Sequence, residues 1–364
     1  MRRTRPMTAA AGVVAAALAV AGCSSARDTA GPGDAPSANQ VKGPIKIVFS
    51  AGQLDDDSMS TLADYMAKQV GAKNMQLVKV ISASRSADKQ VNDIQNLLAL
   101  QPDVLVVHPT DSAAVVAGIK LANAANVPVY TVDTPANGGQ VVADVRADNV
   151  QAGADSAQML VDRLKPNKCW AVSTCKVLEL QGRLGSAAGD DRSNGAEKVL
   201  RANPQITLIS RPTDWDATKA ANEAQNVITS NKDLSGVTMA SELMLPGVLT
   251  ALKNANLGAP VGQPDHVVVT GIDGTPNAMK LIKAGQLDGT ASQPIFTYVD
   301  ALLDIIQQTL REGKTVTEGK ATYAGAAGTV VKIPSGMDFL VPADKVEAAN
   351  VDNPKLWGNT TAKK

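Results

Sequence analysis

From residue 45 onward, apolar positions along the chain switch repeatedly between two kinds of pattern. Ile45–Ser50 (IKIVFS) reads as a short strand. Met59, Leu62, Met66 and Val70 then recur at helical spacing, and Gly71 stops the run. Met75–Ile81 predicts the next strand. Ala87–Leu100 predicts a helix with Val91, Ile94, Leu97 and Leu98 on one side. Val104–Val107 is apolar throughout, as a parallel strand covered on both faces should be. A helix over Ser112–Ala125 and a strand over Val127–Val132 follow, and Val141–Val145 extends this lobe. The alternation then repeats. Helices are predicted over 151–164, 192–202, 218–229, 245–255 and 275–284, and strands over 171–180, 206–210, 237–240, 267–270 and 287–291. A long helix over 296–312 carries Val299, Leu302, Ile305, Ile306 and Leu310. Helices and strands alternating in this way predict an α/β fold.

The amino terminus has a different pattern. Arg2, Arg3 and Arg5 precede an Ala/Val/Leu-rich run from Thr8 to Ala21. This is the charge-then-apolar pattern of a signal peptide, and it is short for a membrane span of roughly 20 apolar residues. Val20-Ala21-Gly22-Cys23 resembles the bacterial lipobox. The resemblance implies cleavage after residue 22 and lipidation of Cys23, hence attachment to the outer face of a bacterial membrane. Residues 23–43 are mostly Ser, Ala, Gly, Pro, Asp and Asn, and bury too little to offset the entropy of ordering them. They predict a tether.

Composition narrows the function. Lys+Arg and Asp+Glu both number 35, so the chain carries no basic field for nucleic acid. Aromatics make up 3% of the chain, so its core must come from Ala, Val, Leu and Ile. Apart from Cys23, the cysteines are Cys169 and Cys175. Export favours a disulfide between them, the alternative being two buried free thiols.

In open parallel sheets, ligands bind beyond the carboxyl ends of the strands. The polar residues there are Gln53, Asp55, Asp56, Asp57, His108, Asp133, Asp190, Arg192, Ser241, Glu242, Asp273 and Gln293. Trp215 lies between Asp214 and Asp216 after a further strand. No Ser–His pair sits at a nucleophile elbow, and no Cys nucleophile lies near a His. No His cluster suits a metal, and no phosphate-loop or dinucleotide fingerprint is present. The Asp55–Asp57 run lacks the spaced ligands and closing Glu of a calcium loop. A binding protein without catalytic residues, cofactor or metal is predicted.

Three segments in order carry a resemblance: Pro109-Thr110-Asp111-Ser112, Glu179-Leu180-Gln181-Gly182 and Gly271-Ile272-Asp273-Gly274-Thr275-Pro276. Over nearly all of 44–335 the chain resembles the ribose-binding-protein-like group of periplasmic sugar-binding proteins. The resemblance implies two similar doubly wound parallel-sheet lobes joined by three crossings. These fall near Asp148, near Pro294 and in the mid-320s. The first lobe would then be 44–147 plus 294–325, and the second 148–293 plus 326–360. The resemblance also implies a monomer that closes on a small polyhydroxylated ligand, with a membrane permease and its ATPase as partners.

Position by position, the family's polar residue after the first strand falls near Gln53. Its two aromatics there fall on Asp55 and Asp56, or on Asp56 and Asp57. Its Asn before the Pro-Thr-Asp-Ser motif is His108, and its Asp-Arg pair is Asp133-Thr134. Its pocket Arg becomes Asp190, while a second Arg of that loop persists as Arg192. Its aromatic between two acids is Trp215. Its Asn of an Asn-Asp-Glu run is Ser241, followed by Glu242. Asp273 and Gln293 match directly. Two arginines and at least one aromatic wall are thus missing, and short acids stand in several of these places. Ionised carboxylates accept hydrogen bonds and do not donate them, which favours a ligand rich in donors such as a small sugar, a sugar alcohol or a cationic amine. Bland roles stand beside these. Asp273 and Asp55–Asp57 can cap helices, and Asp190 and Arg192 can pair with each other. Sensing without transport, a two-carboxylate hydrolase and a sugar-responsive repressor are the rival functions. The export signal and the lack of a helix-turn-helix before residue 44 oppose the last.

Overall fold

The computed structural model describes residues 41, 43–172 and 174–360. The leader, Cys23 and all but the end of the tether lie outside these residues. The first lobe opens with β1 (Ile45–Ala51), α1 (Asp57–Gln69), β2 (Met75–Ser82) and α2 (Ala87–Leu98). It continues with β3 (Val104–His108), α3 (Val116–Ala124), β4 (Val129–Val132) and β5 (Ala143–Ala147). The chain then enters the second lobe with α4 (Asn149–Leu164) and the short α5 (Lys168–Val172). There follow β6 (Cys175–Gln181), α6 (Ala187–Arg201), β7 (Ile206–Pro212), α7 (Ala217–Ser230) and β8 (Leu234–Met239). α8 (Leu245–Asn254), β9 (Val268–Asp273), α9 (Pro276–Lys283) and β10 (Gly289–Ser292) come next. The chain returns through α10 (Ile295–Arg311), β11 (Gly319–Tyr323), β12 (Ala326–Ile333) and β13 (Gly336–Val341), and ends with β14 (Asp344–Glu347) and α11 (Trp357–Thr360).

The two sheets repeat one topology. The first runs β11-β12-β13-β5-β4-β3-β1-β2 and the second β14-β10-β9-β8-β6-β7. Within β1–β5, and again within β6–β10, all pairings are parallel. In each lobe the opening strand lies beside both the second and the third, so the strand order reverses there, and this is where such sheets bind ligands. Each sheet carries an apolar cluster on both faces. That is why Val104–Val107 shows no alternation and is fully buried.

The third crossing differs from the sequence expectation. β12 runs antiparallel to both of its neighbours, β11 and β13, and β13 joins β5 in parallel. Residues 319–341 therefore complete the first lobe, and the chain leaves it after Val341 rather than in the mid-320s. The β11–β12 hairpin turns on Ala324 and Gly325, at φ +49° and +82°, the positive-φ pair that matches sheet twist. The first stretch of the predicted 171–180 strand is helical in α5, and Cys169 is bonded to Cys175.

Polar residues at the strand ends start the next helices. The side chains of Asp56, Ser86, Asp148, Ser186, Asp216 and Thr275 each accept a backbone N–H of the helix they cap. Each such cap contributes about 1 kcal/mol. α4 and α6 are packed backbone to backbone. A β-carbon on Gly153 would stand 2.0 Å from the Arg192 carbonyl oxygen, and one on Gly195 2.0 Å from that of Val150. This contact fixes where Arg192 projects.

Candidate functional site

Asp273, the last residue of β9, is the centre of the second lobe's polar cluster. Its Oδ2 accepts from Ser241 Oγ at 2.6 Å and the Glu242 amide at 3.2 Å. Its Oδ1 accepts from Gln293 Nε2 at 2.7 Å and Arg192 Nη1 at 3.2 Å. Burial pushes the Asp273 pKa up, against Arg192, Ser241 and Gln293, which favour the charged form. Arg192 is itself held by Asn149 Oδ1 at 2.8 Å and the Ala240 carbonyl at 2.7 Å. Its guanidinium carbon stands 5.8 Å from the Trp215 ring centre, within cation–π range. Tyr298 of α10 donates to Gln293 Oε1 at 2.9 Å, tying the crossing strand to the first lobe. From behind, Trp357 of α11 donates to the Asp273 carbonyl at 2.9 Å.

Across the cleft, Asp133 follows β4 and His108 ends β3. His108 Nε2 lies 3.5 Å from Asp133 Oδ2, and Thr134 Oγ1 donates to the same oxygen at 3.3 Å. Burial works to raise the Asp133 pKa, but the His108 hydrogen bond and the charges of His108 and Arg192 outweigh it. The carboxylate is held below its ordinary range. Arg192 of the second lobe thus acts on Asp133 of the first. The buried Nδ1 of His108 has no hydrogen-bond partner among the described residues. Gln53 is half-buried beyond β1 and makes no side-chain hydrogen bond among the described residues.

Backbone geometry marks the same places. Asp133 and Trp215 have φ of +67° and +60°, and Asp273 has +132°. Such conformations cost about 1–3 kcal/mol each in side-chain-bearing residues and concentrate at ligand sites. Trp215 is seated on Gly182, the residue after β6.

Other expected ligand residues have different positions. Glu242 points into the loop that carries Asp273. Its carboxylate accepts from the amides of Gly274 and Thr275, at 2.9 and 2.7 Å, and from the hydroxyls of Thr275 and Thr290. All four acceptor positions are filled, so Glu242 is a brace for the loop carrying Asp273. Burial, and then the neighbouring Asp273, raise its pKa. Asp55 is exposed and pairs with Arg85 at 3.0 Å. Asp56 caps α1 by accepting the Met59 amide at 2.8 Å, and Asp57 is exposed in the first helical turn. This loop is therefore a helix start, with Asp56 as its cap. Asp190 accepts the Gly185 amide at 3.0 Å and so braces its own loop rather than pairing with Arg192. Asn149, Gly182, Tyr298 and Trp357 are contributors the sequence reading missed. Tyr298 was hidden within an apolar helical stripe.

A family model described as a periplasmic binding protein domain matches residues 47–315. The ribose import binding protein of Salmonella typhimurium is 33% identical over 258 residues, which is 71% of this chain and 81% of that protein. The xylitol-binding protein of Mycolicibacterium smegmatis is 28% identical over 290 residues, covering 78% and 74%. The crystal structure of a periplasmic ribose ABC transporter protein from Conexibacter woesei matches with a TM-score of 0.71 at 20% identity, covering 85% of this chain and 94% of that one. Two doubly wound lobes, facing polar clusters at their strand ends and these matches lead to one conclusion: the chain belongs to the periplasmic binding protein family.

Proposed function

We propose that this chain is the extracytoplasmic solute-binding component of an ABC importer and takes a small neutral sugar or sugar alcohol between its lobes. The observation that carries this reading is the pairing of the site's acids. Asp133 has His108 and the field of Arg192, and Asp273 has Arg192, Ser241 and Gln293. With each acid already partnered inside the protein, the site needs no cation from the ligand, and hydroxyl donors suit its acceptors. The residues we assign to the ligand are Gln53, His108, Asp133, Trp215, Ser241, Asp273 and Gln293, with Arg192 orienting Asp273. Trp215 offers the apolar face on which a sugar ring or polyol chain packs. Sugar- and polyol-binding relatives support the reading. Contacts from both lobes stabilise the closed form, which is population shift by differential contact.

The lipobox-like Cys23 supports tethering to the outer face of the membrane, where a permease and its ATPase would receive the ligand from a monomer. A thermal-shift screen of the protein tests the ligand class, using pentoses, hexoses, tetritols, pentitols, hexitols and small diamines. The expected result is a melting-temperature rise with a neutral polyhydroxylated solute, since 100-fold excess over Kd stabilises by about 2.7 kcal/mol. A rise with diamines alone would overturn the neutral-ligand assignment.

A further inference from the structure

A second charged group joins the lobes through Arg146 of β5 and Asp191 of α6. Asp144 on β5 and Asp338 on β13 are direct cross-strand partners, and both are fully buried. Asp144 Oδ1 accepts from Thr131 of β4 at 2.7 Å. Asp144 Oδ2 and Asp338 Oδ1 have no conventional donor among the described residues. Two bare, buried carboxylate oxygens on neighbouring strands are costly unless one carries a proton and donates to the other. Burial and the charge of Asp338 push the Asp144 pKa well up, which places the proton on Asp144.

Arg146, two residues along β5, faces this pair. It contacts Asp338 Oδ2 through Nε and Nη2, both at 2.9 Å, and Asp144 Oδ2 at 3.5 Å. Its Nη1 crosses to the second lobe and donates to Asp191 of α6 at 2.8 Å. Asp191 adjoins Arg192 and Asp190, in the turn that carries the second lobe's site residues. On β12, the neighbour of Asp338 is Val331, which does not titrate. Among the described residues, Asp144, Asp338, Arg146 and Asp191 are the charged groups of the cluster.

We propose that Arg146 and Asp191 form a latch between the lobes, and that one proton held between Asp144 and Asp338 sets its strength. With the proton present, one guanidinium is shared by Asp338 and Asp191. When the proton leaves, a second buried carboxylate competes for Arg146 and repels Asp191. The latch therefore loosens as pH rises. This inference rests on the hinged-closure reading but not on the identity of the ligand.

The test is small-angle X-ray scattering of the full-length chain, without any solute, at pH 6 and pH 9. The radius of gyration of the wild type should increase from pH 6 to pH 9. Asp191→Asn, altered at a partly exposed side chain, should already be expanded at pH 6 and should lose the pH response. Asp144→Asn can still donate to Asp338 and accept from Thr131 but cannot ionise, so it should stay compact at both pH values. Circular dichroism checks that each variant is folded, and if Asp144→Asn does not fold, Asp191→Asn decides alone. An Asp191→Asn radius equal to wild type at pH 6, or a wild-type pH response persisting in Asp144→Asn, overturns the latch. A failed sugar screen would leave this test intact, because no sugar enters it.

Discussion

Gly182 and Trp215 occupy complementary space: a β-carbon on Gly182 would stand 2.2 Å from Cη2 of the Trp215 ring. Any larger residue at 182 must displace the indole. Gly182→Val should therefore weaken binding of the cognate solute by about as much as Trp215→Ala. Loss of one aromatic packing face is worth about tenfold in affinity. Isothermal titration gives the affinities, and near-ultraviolet circular dichroism reports the indole's surroundings. A Gly182→Val protein with unchanged affinity would show that Trp215 is not a wall of the site.

Asp273→Ala removes the acceptor for four donors and leaves the Arg192 guanidinium buried without a carboxylate. Breaking such a pair costs about 3–5 kcal/mol. The variant should melt well below wild type and lose solute binding. Asp55→Asn, altering an exposed ion pair, should shift stability by no more than about 1 kcal/mol. Urea titrations of the two variants compare them directly, and similar midpoints would contradict the burial argument.

Stability should fall between mildly acidic and alkaline pH. Burial raises the Glu179 pKa from 4.5 to about 7, against the hydrogen bond donated by Ser210. A raised acid favours the proton-bound folded state, so its contribution is full below pH 4.5 and is lost as pH rises to about 7. His266 acts in the same direction. Burial works against its charged form, but Asp288 at 2.8 Å and the Ala259 carbonyl outweigh it and raise the pKa. Its contribution is full below the unfolded value of 6.5 and is lost as pH rises through the higher folded one. Glu179→Gln should flatten part of this slope, by up to about 3 kcal/mol. Denaturant midpoints at pH 5, 7 and 8.5 measure it, and a wild-type stability that rises with pH would reject the assignment.

Opening the Cys169–Cys175 bond should lower the melting temperature without changing affinity, because the bond lies beside α5, away from the cleft residues. A short loop of this kind contributes about 2 kcal/mol. Scanning calorimetry of a Cys169→Ser, Cys175→Ser double variant, with and without reductant, checks the size. An altered solute affinity would mean that the α5 segment reaches the site.

Much of the polar cluster at the strand ends was legible because topology alone places it. His108, Asp133, Ser241, Asp273 and Gln293 end strands or follow them directly, and parallel sheets bring such positions together. What a strand end does not reveal is side-chain direction. Glu242 adjoins Ser241, yet it turns inward to four donors, whereas Ser241 faces Asp273. Asp55–Asp57 stayed ambiguous for a related reason, because an acid after a strand equally starts a helix, and Asp56 does so. The strands over 319–341 escaped because they are short, partly exposed and rich in Gly, Ala and Thr. Their apolar alternation is weak, and their pairing with β5 is set by contacts almost 200 residues apart in sequence.

That late pairing bears on the order of assembly. β5 receives its outer neighbour β13 only from residues 336–341, while β6–β10 of the second lobe are contiguous in the chain. As the chain emerges, the interior lobe has its five parallel strands in hand while the first lobe still exposes the flank of β5. Closing that long loop is entropically slow. A first lobe that cannot finish early is therefore expected to consolidate after the second, and to stay the more accessible of the two until residues 336–341 have paired.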